Sequence, residues 1–577
     1  MGNPPDTANK YEDETGLPKQ PLPHLDSSLE LWLAAVSAVL SDKKYAEAVK
    51  LVEEFRKPGG LGRKLHARLA ALASDSNVDN WQEDMYNKFH HLKLRAPLVP
   101  LQNFASTHNC ANIHSPAKRA AIIASACHQF YQQLEDGGIQ HQFDRGRKLE
   151  KNQYKWFFNT TREPRKGEDA MMKYSGNNYV IAFRRGRMFR IELDVPFTTL
   201  MAIFQKVIDS STHPASWVGI LTTDDRDLWA HDRAMLQAVG EKNADWLRAI
   251  EAAEFVVYLD DVKPSTARER GHQFLQTGFN RWSDKTVQFA VCDNGYSGTI
   301  GEHSMIDGYA ARRLNAFIQD ALESNIDSDA ENECLQESFT VDSFAFTTTP
   351  ELERRIVAAR AELQNRTSVH EFAAFETQAV GADFFRAYKI PAISGVQIAI
   401  QLASRKYFGF NPIAHETVGL AHFLKGRVEC SHTVWPEVKQ FCDVAYDEAT
   451  QKETVREMFF TAAKIHANNL LRSTQGYGLD RHLLCMEWSV QEGEEMPKFF
   501  KSEVYKESRP KMLMTDCLES GVYEAYSLPA YPGGFWVHFE TESDRVRFST
   551  WGKVGEMNRW EQYIREGAEI VRKILEG

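Results

Sequence analysis

The chain has 577 residues, room for two large or three ordinary domains, and its 43% apolar and 25% charged residues are those of a globular protein with a sizeable core. A net charge of −11 argues against a nucleic-acid-binding protein, which usually carries a basic face, and suits an acidic cytoplasmic enzyme. Cys110, Cys127, Cys292, Cys334, Cys430, Cys442, Cys485 and Cys517 form no Cys-x-x-Cys or zinc spacing, so free thiols and no metal are expected. No apolar run approaches the roughly 18 residues that span a bilayer, and the polar, acidic start is no secretory signal.

In chain order, residues 1–16 read as a flexible tail, and Leu17 to Pro23 as a proline-stiffened extended segment. Apolar residues three and four apart predict helices over Ser28–Leu40 and Ala46–Phe55, the second broken by Pro58-Gly59-Gly60. Ala120, Ile123, Cys127, Phe130 and Leu134 fall on one face of a third helix, which Gly137-Gly138 stops. Tyr179–Phe183 and Met188–Leu193 flank a hairpin turn, and Phe255–Leu259 and Thr286–Val291 read as further strands. A helix over Ala310–Leu322 is followed by an acidic stretch, Asp327–Glu337, that suits a surface connection, with a domain boundary near 345. Helices dominate from Pro350 to Leu471, Val522–Phe548 is strand-rich around Pro532-Gly533-Gly534, and Glu556–Leu575 closes the chain as an amphipathic helix. No short repeat is visible, and strands mixed with helices in both halves predict an α/β or α+β layered fold.

The most informative segment runs from Asp293 to Gly308, between the strand Thr286–Val291 and the next helix. It holds Glu302-His303-Ser304 and, four residues after the histidine, Asp307. An imidazole exchanges protons near neutral pH, which makes His303 a candidate general base. If the segment is helical, Asp307 returns to the same side and fixes the tautomer; the alternative is a hydrogen-bonded structural pair. No Gly-x-Ser-x-Gly elbow and no protease-like cysteine context occur, so a covalent acyl-enzyme is not indicated.

Asn280-Arg281-Trp282-Ser283-Asp284-Lys285, the following strand, Asp293-Asn294-Gly295 and the Glu302 to Gly308 segment together resemble the active-site block of the carnitine/choline acyltransferases. Other blocks of that family follow in the same order. They are Leu17-Pro18 with Pro21-Leu22-Pro23; Asn80-Trp81 with Leu94 to Leu98; Tyr154, Phe158, Arg162, Pro164 and Asp169; and Leu221 to Ala230. Gln397 to Ala403, Gly426 to Glu429 and Asp480 to Leu484 continue the series, so the resemblance covers about residues 17–577. It implies an α/β fold of two chloramphenicol-acetyltransferase-like domains with the active-site tunnel between them. On this reading 17–345 is the N-terminal catalytic domain carrying His303, and 346–577 a C-terminal domain carrying thioester and acceptor contacts. His303 removes the acceptor's hydroxyl proton, Asp307 orients the ring, and acyl transfer between thioester and ester runs both ways. No tightly bound cofactor is implied.

The departures from the family bear on the substrates. Of the Tyr, Thr and Arg that hold the carnitine carboxylate, the Tyr is His415, the Thr is Val428, and only the Arg is kept, as Arg481. Each lost hydroxyl donor weakens such a site by about 1–3 kcal/mol. Arg481 has the alternative of a buried arginine paired with a nearby acid. The family's Ser-Thr-Ser block is replaced by Leu513 to Cys517, where Thr515 is a substitute donor and Cys517 lines the same stretch. On the donor side, Arg386, Lys389 and Gln397 are the candidates for the thioester arm, and the basic cluster that grips the nucleotide of coenzyme A is thin. The sequence is similar to the members of this family that end fungal highly reducing polyketide synthases. Three readings follow. The first is a product-releasing acyltransferase taking an acyl-phosphopantetheine from an acyl carrier protein to a small alcohol or polyol. The second is a carnitine acyltransferase using acyl-CoA, and the third an inactive scaffold, against which intact His303 and Asp307 speak.

Overall fold

A computed structural model describes residues 16–108, 113–324, 341–509, 511–518, 523–529 and 531–577. Most of the expected tail, the acidic connection Asp327–Glu337, Cys110 and Cys334 lie outside the described residues. Among the described residues no helix is long and apolar enough to cross a membrane. The chain divides into two compact units: residues 87–370 with 521–527, and residues 16–86 with 371–520 and 528–577.

The first unit is built on an eight-stranded mixed sheet. Its spatial order is Ser343–Phe344, Arg187–Glu192, Tyr179–Arg184, Val256–Asp260, Val287–Cys292, Ser297–Gly301, Phe104–Thr107 and Glu524–Tyr526. Every residue of Tyr179–Arg184, Val256–Asp260 and Val287–Cys292 is buried, which is why these strands read as continuous apolar runs. Helices Pro116–Glu135, Phe197–Ser210 and Gly308–Ser324 cover one face through Ile123, Phe130, Phe204, Leu314 and Ile318 against Val180, Val257, Phe289 and Val291. The hairpin turn at Arg185-Gly186 has φ of 50° and 74°, the left-handed geometry that matches strand twist in a tight hairpin.

The second unit has a six-stranded sheet in the order His370–Thr377, Val546–Lys553, Phe535–Thr541, Leu513–Cys517, Ala414–Gly419 and Val428–His432. Helices Ala392–Phe408, Lys452–Thr474 and Met557–Glu576 pack on the face formed by Leu513, Phe535, Val537, Phe539 and Phe548. The two central sheets share one topology. In each, two strands form an antiparallel pair, a third and a fourth add in parallel, and a fifth returns antiparallel: Tyr179–Arg184, Arg187–Glu192, Val256–Asp260, Val287–Cys292 and Ser297–Gly301 in one. The counterparts are Ala414–Gly419, Val428–His432, Leu513–Cys517, Phe535–Thr541 and Val546–Lys553. In each unit a helix then follows the fifth strand.

This partition differs from the expected boundary near 345. Helices Leu25–Ser37, Asp42–Arg56 and Leu61–Ser74 belong to the second unit, where Trp32, Phe55 and Leu69 share a core with Leu483, Phe499 and Tyr505. Chain order did not reveal this return, because the contacts are more than 400 residues apart. The helix-rich reading of 350–471 missed strands His370–Thr377, Ala414–Gly419 and Val428–His432.

Gly567 on the closing helix lets that helix approach Ala392–Phe408: a Cβ there lies 2.4 Å from the Ala399 carbonyl oxygen. Alanine is the better helix former by about 1 kcal/mol, yet Gly567→Ala is expected to lower unfolding stability by about 1–3 kcal/mol through overpacking. Urea denaturation reads this directly, and unchanged or raised stability contradicts the close approach.

Candidate active site

The Asp293 to Gly308 segment begins as a hairpin. Asn294-Gly295 makes the turn, with Gly295 at φ 84°, and Ser297–Gly301 returns antiparallel to Val287–Cys292. A side chain at Gly295 would meet the Ile113 carbonyl at 2.4 Å. His303 therefore follows a second strand, in an irregular stretch ahead of helix Gly308–Ser324, and the helical spacing expected between His303 and Asp307 does not exist. Instead the chain bends so that His303 Nδ1 lies 2.7 Å from the Ile306 carbonyl oxygen and 3.8 Å from Asp307 Oδ1.

A carbonyl only accepts, so Nδ1 carries the hydrogen and the lone pair of the neutral ring is on Nε2, the form of a general base. The tautomer is thus fixed by a backbone carbonyl, with the Asp307 carboxylate standing behind it. The His303 side chain is 33% exposed and Asp307 only 3%. Gln153 locks Asp307 from both sides: its Nε2 donates to Asp307 Oδ2 at 2.9 Å, and its Oε1 accepts the Asp307 N–H at 2.7 Å. Phe104 sets its ring edge-on to the imidazole at 5.0 Å.

Behind the histidine lies a buried charge network. Arg162 Nη1 donates to Ser304 Oγ at 2.9 Å and to Glu302 Oε1 at 3.2 Å, so one guanidinium grips both neighbours of His303. Its Nε donates to Asp169 Oδ2 at 2.7 Å, and its Nη2 to the His91 carbonyl at 2.8 Å. Arg226 joins Asp169 to Asp284, each at 2.7 Å. Burial pushes the Asp169 carboxyl up, but Arg226 and Arg162 outweigh it and hold it below the usual carboxylate range. In the sequence, Arg162 and Asp169 stand out only as motif positions; Gln153 carried no signal at all.

The other expected site residues belong to the second unit. Arg481 is buried: Nη1 donates to Asp480 Oδ2 at 2.6 Å, Nε to the Val428 carbonyl at 3.1 Å, and the guanidinium lies 4.9 Å from the Tyr86 ring centre. This is the paired-arginine alternative. Thr515 and Gln397 depart from their expected roles, because Thr515 faces the helix layer, where Gln397 Nε2 donates to its Oγ1 at 2.6 Å. The Thr515 hydroxyl in turn donates to the His415 carbonyl at 3.2 Å. Both polar groups are thereby engaged inside the core, and strand alternation sends Asp516, not Thr515, to the opposite face. Cys517 is half-buried at the strand end. Arg386 and Lys389 are exposed near the end of helix Ala382–Ala387, and Arg386 pairs with Asp383.

His415 and His432 face each other with Nε2 atoms 3.1 Å apart, and with Asp480 they form a group whose ligand-type atoms lie within 4.8 Å. Its spacing would admit a metal ion, but Asp480 is already compensated by Arg481, with Arg509 and Lys511 each 3.9 Å away. Burial, aided by Lys511 and Arg509, pushes His432 down to about 4, and burial with His432 and Lys511 holds His415 well below its ordinary value.

A loop-held histidine backed by a carboxylate, on a mixed sheet packed with helices, is a site suited to moving a proton in group transfer. Residues 20–566 match the family model for Choline/Carnitine o-acyltransferase. The chain belongs to that family and is an acyltransferase. It is similar to a highly reducing polyketide synthase of Aspergillus luteorubrus, 31% identical over 584 residues, covering 97% of this chain and 18% of the synthase. It also resembles the mitochondrial carnitine O-acetyltransferase of Saccharomyces cerevisiae, 24% identical, covering 98% of this chain and 89% of that enzyme. The chain thus spans under a fifth of the length of the first synthase. Among solved structures it matches the epimerization domain of tyrocidine synthetase B at 9% identity, with a TM-score of 0.37 over 82% of this chain and 93% of the domain.

Two outcomes are expected. Arg162→Lys keeps the charge but cannot bond Glu302 and Ser304 together with Asp169 and the His91 carbonyl, so kcat should fall about 10–100-fold through misplacement of His303, with KM changed far less; an unchanged kcat removes the positioning role. The buried neutral rings also make the fold acid-sensitive. His432 stays neutral in the folded chain down to about 4, whereas an unfolded histidine takes a proton near 6.5, so stability falls as pH drops below about 6.5 and levels off near the folded value. At pH 5 the loss is about 2 kcal/mol for this ring. Urea unfolding of wild type and His432→Gln at pH 7 and 5 should show a shallower pH slope in the variant, and equal slopes contradict the assignment.

Proposed function

We propose that this chain moves an acyl chain from a phosphopantetheine thioester on an acyl carrier protein to a small alcohol or polyol, in the cytoplasm, with His303 as general base. His303 Nε2 takes the hydroxyl proton as the oxygen attacks the thioester carbon; the imidazolium, facing Asp307, returns the proton to the departing sulfur, and ester and free thiol result. The reaction runs in both directions, since thioester and ester are close in energy. The observation that carries the chemistry is the fixed Nδ1–H tautomer at Ile306. The paired chloramphenicol-acetyltransferase-like domains and tunnel implied by the family belong to this reading.

Two observations support the carrier-bound donor and the neutral acceptor. The synthase relatives match over nearly the whole chain, including one of Sordaria araneosa at 28% identity over 96% of it. In the second unit, Arg481 is taken up by Asp480 and Val428, and the neighbouring positions offer His415 and Val428 in place of hydroxyl donors for a carboxylate. The second reading, carnitine O-acyltransfer from acyl-CoA, draws on the carnitine acetyltransferase relatives, which match over most of both chains.

Turnover of an acylated carrier protein, acyl-CoA and acyl-dephospho-CoA with a panel of alcohols that includes carnitine separates the two. The expected result is preference for the carrier-bound donor, neutral alcohols over carnitine, and little dependence on the 3′-phosphate. Strong preference for carnitine with acyl-CoA establishes the second reading instead. His303→Ala should lower kcat by about 10²–10⁴-fold, and undiminished turnover removes the histidine from the chemistry.

A further inference from the structure

Strand register in the six-stranded sheet sets a polar row across the face opposite the helix layer. Thr417 stands beside Cys430 on one neighbouring strand, Asp516 beside His538, and His538 beside Ser549. The alternate residues Leu513, Phe535, Val537 and Phe539 point into the apolar core, so this row is the sheet's other surface. His538 Nδ1 lies 3.2 Å from Asp516 Oδ2, and Trp536 Nε1 donates to the same carboxylate oxygen. The Trp536 ring is half-buried and stacks on His538 at 5.7 Å and 21°.

Two features of this row leave hydrogen-bonding capacity unused within the described residues. His538 is buried at 5% exposure; its Nδ1 approaches Asp516 without hydrogen-bond geometry, and its Nε2 has no hydrogen-bond partner among the described residues. Leaving a buried polar atom unpaired is costly, so a group poised in this way is a hydrogen-bonding position for a ligand. Asp516, 17% exposed, is an anion without a Lys or Arg ion-pair partner among the described residues. Burial pushes its carboxyl up, but His538, Thr417 and Trp536 beside it hold it below the usual range, so it remains an acceptor with unused lone pairs.

We infer that Asp516 and His538 form a recognition site for two adjacent hydroxyls of a polyol, the carboxylate accepting one hydrogen and His538 Nε2 the other. This rests on the proposed transfer to an alcohol and deepens it by naming the residues that read the acceptor. The Asp516 carboxylate 3.2 Å from Nδ1 favours the tautomer with its hydrogen on that nitrogen, which leaves Nε2 an acceptor, so both partners ask the ligand for donors. A vicinal diol supplies two on adjacent carbons, and its carbon chain lies against the Trp536 ring. A monohydric alcohol supplies one donor at most. A site built to bond a hydroxyl discriminates strongly against an analogue without it, because its own buried groups are then left unpaired.

The test compares sorbitol, 1-propanol and choline as acceptors for the full chain, wild type against Asp516→Asn and His538→Phe, with folding checked by circular dichroism. Each variant is expected to lower the ratio of kcat/KM for sorbitol over 1-propanol by about tenfold or more, the loss of one hydrogen bond to a charged or buried group. An unchanged ratio in the folded variants overturns the inference, as does a loss in Asp516→Asn that falls on choline rather than sorbitol. If one variant does not fold, the other decides. If wild type acylates no alcohol, the acyltransfer reading fails by itself. Sorbitol affinity by calorimetry without any donor then decides the recognition site: weakening in either variant supports it, and wild type that does not bind sorbitol overturns it.

Discussion

The arrangement of His303 depends on one guanidinium. Arg162 holds Glu302 and Ser304, the residues on either side of the histidine, and is itself held by Asp169. An irregular loop ordinarily carries the mobility of its backbone. Here its two flanking side chains end on a fully buried cation whose remaining donors are satisfied by Asp169 and the His91 carbonyl. Breaking such a buried pair costs several kcal/mol because it strands a charge, so the loop has little freedom to drift. The placement of the imidazole is therefore set by buried charges behind it, and Gln153 holds Asp307 in the same way.

The shared topology of the two sheets makes the single histidine more telling. In the first unit the fifth strand ends at Gly301 and the helix begins at Gly308, leaving a connection long enough to bend back and aim His303. In the second unit the corresponding strand runs to Lys553 and the helix starts at Met557, with Val554, Gly555 and Glu556 between them. That link is too short to form the same bend and carries no imidazole. The two units thus differ at the junction between fifth strand and final helix. One places His303 there, and the other makes a plain turn whose Gly567-containing helix packs tightly on its neighbour.

Much of the first unit was legible in the sequence because its strands are buried on both faces and its helices are amphipathic, so apolar runs and three-four spacing map onto elements directly. Tyr179–Arg184, Val256–Asp260 and Gly308–Ser324 lie within a few residues of their predicted limits. The strands of the second unit were harder to see. Ala414–Gly419 and Val428–His432 are rich in His, Glu and Ser, since one face holds polar clusters, and such composition gives no alternation to detect. His303 was legible from its neighbours, but its hydrogen bond to Ile306 was not, because a bend between strand and helix leaves no periodic trace. The return of residues 16–86 to the second unit was invisible for the same kind of reason: long-range apolar packing has no local signature.

Strand alternation also decides which residues of the second unit are available to chemistry. A one-residue step separates Thr515, whose hydroxyl is absorbed by Gln397 and the His415 backbone, from Asp516, which stands in the polar row. A hydroxyl facing the core cannot serve a substrate without breaking bonds that stabilise the sheet–helix contact, whereas a carboxylate on the other face has lone pairs to offer. The same step separates Val537 in the core from His538 in the row. Arg481 stands under the opposite constraint: its charge is consumed by Asp480, so it stabilises a buried cluster in which His415 and His432 must remain neutral. The polar face thus divides into a charge-balanced part around Asp480 and an unbalanced part around Asp516, and it is the unbalanced part, with an anion and an unpaired imidazole nitrogen, that has hydrogen-bonding capacity left for another molecule.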